Sequence, residues 1–123
     1  MQLLLDTHIL LWWLGDDPLL SVDHRRMIQD SRNACFISAA SVWEISIKRS
    51  LGKLEIDDGY LEVARSQGFI ELPIRWNHAE MVKTLPEHHR DPFDRMLVAQ
   101  AVAEEMTLLT VDQNIRKYEV RVG

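Results

Sequence analysis

The sequence has 123 residues, 46% of them hydrophobic and 27% charged, which is the composition of one soluble globular domain covering residues 1–123. Its net charge of −5 argues against a protein that grips nucleic acid only through bulk positive charge. No apolar run approaches the ~20 residues of a membrane span, no secretory signal is evident, and the single Cys35 excludes an internal disulfide, so we expect a cytoplasmic protein with no membrane contact.

Apolar runs and capping residues alternate along the chain. In chain order they predict a strand at 2–5, helices at 7–14 and 21–30, a strand at 34–37, helices at 38–51 and 60–67, a strand at 69–72, helices at 77–85 and 91–105, a strand at 107–111 and a weaker strand at 119–122. The best strands are almost continuously apolar, which is typical of sheets covered on both faces. The pattern predicts a three-layer α/β/α domain around a central, mostly parallel sheet of four to five strands.

Acidic residues lie where ligands bind in such sheets, beyond the carboxyl ends of the strands. Asp6 directly follows the first strand and Asp112 follows the strand at 107–111. Glu44 lies in the helix after the second strand, and Asp94 lies near the start of the helix at 91–105. We therefore expect four carboxylates to converge at one edge of the sheet.

Each acid also has a purely structural interpretation as a helix cap. Asp91 followed by proline is typical of an N-cap and would place Asp94 in the first turn, where the helix dipole favours an acid. Residues 41–44 fit a capping box, and Asp6 and Asp112 could cap the segments that follow them. Taken singly, these interpretations are the commoner ones.

Taken together, the caps explain the acids less well. Thr7, Ser38 and Thr110 already offer neutral capping hydroxyls nearby, and four carboxylates brought together would repel one another unless a cation lay among them. A ligand set made only of oxygen favours Mg²⁺ or Mn²⁺ over Zn²⁺. Such ions bind phosphate oxygens and activate water, so the pattern indicates phosphate chemistry.

Four segments stand in order along the chain: LLLDTH at 3–8, SVWEI at 41–45, HRDPFDRMLVAQA at 89–101 and LLTVD at 108–112. Together they resemble the PIN-domain ribonucleases, and more closely the VapC-type toxins of toxin–antitoxin modules. The resemblance implies a Mg²⁺- or Mn²⁺-dependent endoribonuclease that hydrolyses RNA phosphodiester bonds with a metal-activated water. It also implies a small antitoxin as the inhibiting partner, and we expect a homodimer.

The resemblance assigns roles to individual residues. It implies that the metal ligands and catalytic acids are Asp6, Glu44, Asp94 and Asp112. Thr7 and Thr110 match supporting positions, and Thr110 would orient the last acid. Asp91 is expected to be an N-cap or to support the metal ligands without binding the metal itself.

Other residues have two interpretations each. The basic side chains that flank the acids either hold RNA phosphates or form a solvated face; the candidates for phosphate binding are Lys48, Arg49, Arg90 and Arg95, with His88 and His89 beside them. Trp12 and Trp13 point in different directions from one helix, so either one of them forms a dimer or antitoxin surface, or the two pack against different layers. We expect Trp43 and Cys35 to be buried.

Two other functions fit part of the pattern. A non-catalytic α/β regulatory or interaction module could bind a cation with the same carboxylates. A phosphatase of the haloacid-dehalogenase type also has an aspartate after its first strand, but its second aspartate would fall at His8, so that resemblance fails.

Overall fold

The computed structural model describes residues 1–123, which form four strands and six helices. In chain order these are β1 (Gln2–Leu5), α1 (Thr7–Leu14), α2 (Val22–Gln29), β2 (Ala34–Ser38), α3 (Ala39–Ser50), α4 (Tyr60–Ser66), β3 (Ile70–Leu72), α5 (Trp76–Val82), α6 (Pro92–Ala103) and β4 (Thr107–Leu109), followed by a 3-10 turn at Ile115–Lys117. These elements confirm the predicted order of strands and helices, with ends that differ by a few residues.

The four strands form one parallel sheet in the order β3-β2-β1-β4. Successive side chains of β1 point to opposite faces: Leu3 and Leu5 pack into one apolar core, and Leu4 packs into the other. Because helices cover both faces, every apolar residue of β1 is buried. This arrangement confirms the three-layer α/β/α prediction and explains why the strands are continuously apolar in sequence.

The weaker strand predicted at 119–122 is wrong. This segment makes a single parallel bridge, from Val122 to Leu108, and does not extend into a strand. Its alternate residues Glu119 and Arg121 are exposed, so the segment has only two apolar side chains to bury against the sheet. The sheet therefore ends at β4.

The helix starts follow the predicted caps, with one exception. Ser21 and Ser38 cap α2 and α3 as expected, each accepting a hydrogen bond from a backbone N–H of the first turn. The capping box expected at 41–44 is wrong, because α3 already begins at Ala39 behind Ser38. Glu44 therefore lies in the interior of α3.

Two expectations about tryptophans are corrected. Trp43 is 61% exposed and not part of a core, because Ser41, Glu44 and Ile45 occupy the buried face of α3. Trp12 and Trp13 are both half-buried, and they pack against the same core instead of different layers. Cys35 is buried, as predicted.

None of the six helices combines the length and the apolar character that crossing a bilayer requires.

Candidate active site

Asp6 lies at the junction of β1 and α1, at the carboxyl edge of the sheet. Its backbone N–H donates to the carbonyl of Leu109 in the neighbouring β4, and its Oδ1 accepts from the N–H of Ile9 at 2.8 Å, which caps α1. The side chain is buried, and this burial raises the pKa of Asp6, while a hydrogen bond from the Thr110 side chain acts in the opposite direction. Asp6 is therefore held rigidly, and its burial disfavours the ionised form of its carboxyl group.

Asp112 lies just beyond the end of β4 and is held by the turn around it. Its N–H donates to Oγ1 of Thr110 at 3.0 Å, and its Oδ1 accepts from the N–H groups of Asn114 and Ile115 at 2.8 and 3.1 Å. Partial burial acts to raise the pKa of Asp112, but the hydrogen bonds from Ile115, His89 and Asn114 outweigh it, so the pKa is lowered. This carboxylate stays ionised and keeps Oδ2 free of the turn.

Asp94 lies in the first turn of α6, which Asp91 caps. Oδ1 of Asp91 accepts from the N–H groups of Phe93 and Asp94 at 2.8 and 3.1 Å, so Asp91 acts as an N-cap. Burial is the largest cause that raises the pKa of Asp94, the nearby charges of Asp91, Glu44 and Asp6 add to it, and His89 opposes them, so that the pKa is about 7. Oδ2 of Asp94 and Oδ2 of Asp112 both lie beside Nε2 of His89, at 3.0 and 3.2 Å, which brings these two of the predicted acids together.

Glu44 is buried on the face of α3 that points toward α1. One turn earlier, Ser41 accepts a hydrogen bond from the hydroxyl of Thr7 at 3.0 Å, which fastens α3 to the start of α1. Oε2 of Glu44 lies 3.0 Å from Nζ of Lys48, whereas Oε1 is buried without any hydrogen-bond partner. A buried carboxylate oxygen without a partner is costly, and it indicates a place for a further positive group.

His89 bridges two of the acids. Its Nε2 donates to Oδ2 of Asp112 at 3.2 Å and lies 3.0 Å from Oδ2 of Asp94, and the three ligand atoms lie within 4.8 Å of one another. Its Nδ1 accepts from the N–H of Asp91 at 3.1 Å, so the ring proton is on Nε2 and points at the carboxylates. In this arrangement His89 is a hydrogen-bond donor to the acids, not a ligand for a cation.

The sequence interpretation missed this role of His89, treating it only as a candidate phosphate contact or a solvated residue. The available signal was its position two residues before the capping Asp91, which lets the ring fold back over the start of α6. Spacing alone could not show that the ring would turn toward Asp112, because that residue comes from a distant strand.

The donor set fits a hard divalent cation. The free oxygens at the site are those of carboxylates, with the unpartnered Oε1 of Glu44 among them, and Mg²⁺ and Mn²⁺ prefer such ligands. A cation would also offset the burial and the negative charges that together raise the pKa of Asp94. The ligands that the sequence predicts for it are Asp6, Glu44, Asp94 and Asp112.

The four basic candidates for phosphate binding differ in their availability. The guanidinium of Arg95 donates to the carbonyls of Val82 and Pro86 and therefore supports the loop before α6. Arg49 forms an ion pair with Asp58, and Lys48 is paired with Glu44. Arg90 is exposed and forms no ion pair, which leaves it free to contact a phosphate.

Comparisons with known proteins agree with this architecture. The model of the PIN domain family matches residues 3–120. A solved structure, described as VapBC2 from Rickettsia felis bound to a DNA fragment from their promoter, superposes on 100% of this chain and 98% of that chain with a TM-score of 0.75 and 15% sequence identity. At that identity the likeness shows a shared fold. No curated protein matches the sequence.

The raised pKa of Asp94 predicts how stability depends on pH. Between about pH 4 and pH 7 the native state keeps a proton that the unfolded state has lost, so the stability of the wild-type protein falls as pH rises through this window. Asp94→Asn cannot ionise and escapes this loss. In urea unfolding with EDTA, its free energy of unfolding relative to wild type should rise by about 2 kcal/mol from pH 4 to pH 8.

The matched control for this experiment is Asp23→Asn, an exposed acid in the first turn of α2. It should show the pH dependence of the wild type. An Asp94→Asn protein with an unchanged pH dependence would contradict the raised pKa of Asp94.

The position of His89 predicts that it competes with a cation for the carboxylates. His89→Ala removes the donor between Asp94 and Asp112, so Mn²⁺ should bind on the order of tenfold more tightly in calorimetric titration. His88→Ala is the control, since this exposed neighbour packs on Tyr118 and should leave Mn²⁺ affinity unchanged. Weaker Mn²⁺ binding by His89→Ala would instead identify the imidazole as a ligand.

Proposed function

The chain belongs to the PIN-domain family, and on that premise we propose that it is a divalent-metal-dependent endoribonuclease, the toxin of a toxin–antitoxin module. The observation that carries this proposal is the acid cluster itself. Asp6 and Glu44 are buried, and Asp94 and Asp112 are half-buried. The pKa of Asp94 is raised to about 7, and one oxygen of Glu44 has no hydrogen-bond partner. A purely structural cluster gains no stability from such features, whereas a bound cation would offset both costs.

In this proposal the acids hold Mg²⁺ or Mn²⁺, and the bound ion supplies Lewis-acid stabilisation of the phosphate and a water of lowered pKa. The chain's own residues fix the ligands: Thr110 orients Asp112, Asp91 fixes the start of α6, and Thr7 ties α3 to α1. At the rim, Arg90 is free to contact a phosphate of the strand. Positive charge at the rim offsets the repulsion between RNA and an acidic site.

A protein partner is the second part of the proposal. Its support is the shared fold with the VapBC2 structure, together with the negative charge of the acid cluster and the apolar side chains exposed near α3 and α4. We propose that an antitoxin inserts an Arg or Lys among the carboxylates, while an apolar segment covers exposed side chains near α3 and α4. An apolar groove there is lined by Val42, Leu61, Phe69 and Ile70.

We also propose a homodimer. The chain leaves large apolar side chains exposed at several places, including Leu19, Leu51 and Val63, and a second copy of the chain would cover part of this surface.

The nuclease proposal predicts metal-dependent cleavage of RNA by the purified protein. Cleavage of a labelled RNA should require Mg²⁺ or Mn²⁺, stop with EDTA, and fall by about 100-fold or more in Asp6→Asn, Glu44→Gln, Asp94→Asn or Asp112→Asn, because each change removes a ligand charge. Asp23→Asn is the control for a neutral surface change. Circular dichroism should show that the variants are folded. Metal binding without cleavage of any RNA would favour the non-catalytic cation-binding module.

The antitoxin proposal predicts competition with the cation. If a basic side chain pairs with the carboxylates, antitoxin affinity measured by surface plasmon resonance should weaken as Mg²⁺ is raised, and should weaken at least tenfold in a protein with all four acids neutralised. Equal affinity for the neutralised and original proteins, with no effect of Mg²⁺, would contradict competition while leaving the nuclease proposal intact.

A further inference from the structure

An apolar groove with an aromatic wall lies between α3, α5 and the start of α6, beside the acid cluster. It has a volume of about 350 Å³, within the range of small-molecule sites. The side chains that matter for its chemistry are Trp43, Ile74, Arg90, Phe93 and Met96. None of the carboxylates lines it, so its role is separate from holding a cation.

Trp43 is the most unusual residue of this groove. Its indole is 61% exposed although the helix offers a buried face, and it packs against the edge of Phe93 with ring centroids 5.0 Å apart and planes at 78°. The contact with Phe93 orients the indole, and the exposed fraction leaves aromatic surface uncovered. An oriented, partly uncovered indole is suited to stacking with a planar ligand.

The aromatic residues of the groove are sequence neighbours of two of the acids. Trp43 directly precedes Glu44 on α3, and Phe93 directly precedes Asp94 on α6. Adjacent residues of a helix point about 100° apart. On α3 and on α6, the aromatic ring therefore projects from the helix about 100° away from the carboxylate that follows it. For a polymer strand with a phosphate at the acids, this adjacency makes the groove the expected place of the next residue.

The charge at the groove fits a nucleic-acid strand. Arg90 lines it with an unpaired guanidinium, whereas the neighbouring Arg95 is engaged with backbone carbonyls. One free cation beside an aromatic wall is the combination that single-stranded nucleic acids use, with phosphate on the cation and the base on the ring.

We propose that this groove binds one unpaired nucleobase of the RNA strand, next to the scissile phosphate, with Trp43 as the stacking surface and Arg90 as the contact to the flanking phosphate. The inference rests on the proposed nuclease function and adds a determinant of where the strand is cut. Because stacking and not base-edge hydrogen bonding supplies the contact, the groove should prefer purines, whose rings offer the larger stacking area.

The test separates binding from cleavage. Binding is measured by fluorescence anisotropy in the Asp94→Asn background with EDTA, which lowers charge repulsion and removes catalysis. The probes are a labelled ten-nucleotide oligo(A) RNA and a ten-unit abasic ribose-phosphate strand. Oligo(A) should bind about tenfold more tightly than the abasic strand, and Trp43→Ala and Trp43→Leu should lose most of this difference.

Two variants control for the ring and for surface tryptophans in general. Trp43→Phe keeps an aromatic ring and should retain most of the preference for oligo(A). Trp76→Ala removes another exposed tryptophan, 92% accessible and outside the groove, and should change nothing. A preference for oligo(A) that survives Trp43→Ala, or that Trp43→Leu retains as well as Trp43→Phe does, overturns the base-stacking role.

A separate cleavage assay of the wild-type protein with Mn²⁺ tests the proposed nuclease function on its own, so the two failures are distinguishable. Sedimentation velocity of Trp43→Ala tests the rival occupant: dissociation of an oligomer, with the oligo(A) preference intact, would assign the groove to a second copy of the chain and overturn the proposal.

Discussion

The burial of carboxylates close to other negative charges is the constraint on which the rest of this structure depends. Burial, and after it the charges of Asp91, Glu44 and Asp6, raise the pKa of Asp94 to about 7 at the edge of the sheet. Such a cluster lowers the free energy of unfolding, so contacts in the surrounding elements must compensate for it. The parallel topology does this by bringing strand ends and helix starts to one edge, where backbone N–H groups are available to donate hydrogen bonds to the carboxylates.

The capping and functional interpretations of the acids turn out to be compatible, because a carboxylate has two oxygens. Oδ1 of Asp112 accepts hydrogen bonds from the N–H groups of the following turn, and Oδ2 remains to face His89. Asp6 uses Oδ1 to cap α1. Glu44 has one oxygen paired with Lys48 and the other without a partner. Capping therefore fixes the direction of Asp6 and Asp112, and this rigidity is what a preorganised cation site needs.

Local patterns predicted most of the fold, because strand ends, caps and apolar runs are properties of neighbouring residues. Ser38 and Asp91 were predicted as caps from their own context, and both act as such. The failures depended on contacts between distant segments. Trp43 was expected in a core because tryptophan is usually buried, but the inward face of α3 was already occupied. The bridging role of His89 requires Asp112, more than twenty residues away, and no local spacing encodes that contact.

On α3 and on α6 an aromatic residue directly precedes the acid, so different side chains of each helix would serve the proposed cation binding and the proposed base stacking. Glu44 and Asp94 are constrained by burial and by their neighbours, so substitution there disturbs both charge balance and packing. Trp43 is mostly exposed and Phe93 is only half-buried, so fewer contacts tie these side chains to the core. In the proposed nuclease, the residues that would contact a base can therefore vary while the acids that would hold the cation stay constant. Such a protein could change which strand it selects without rebuilding the site proposed to cut it.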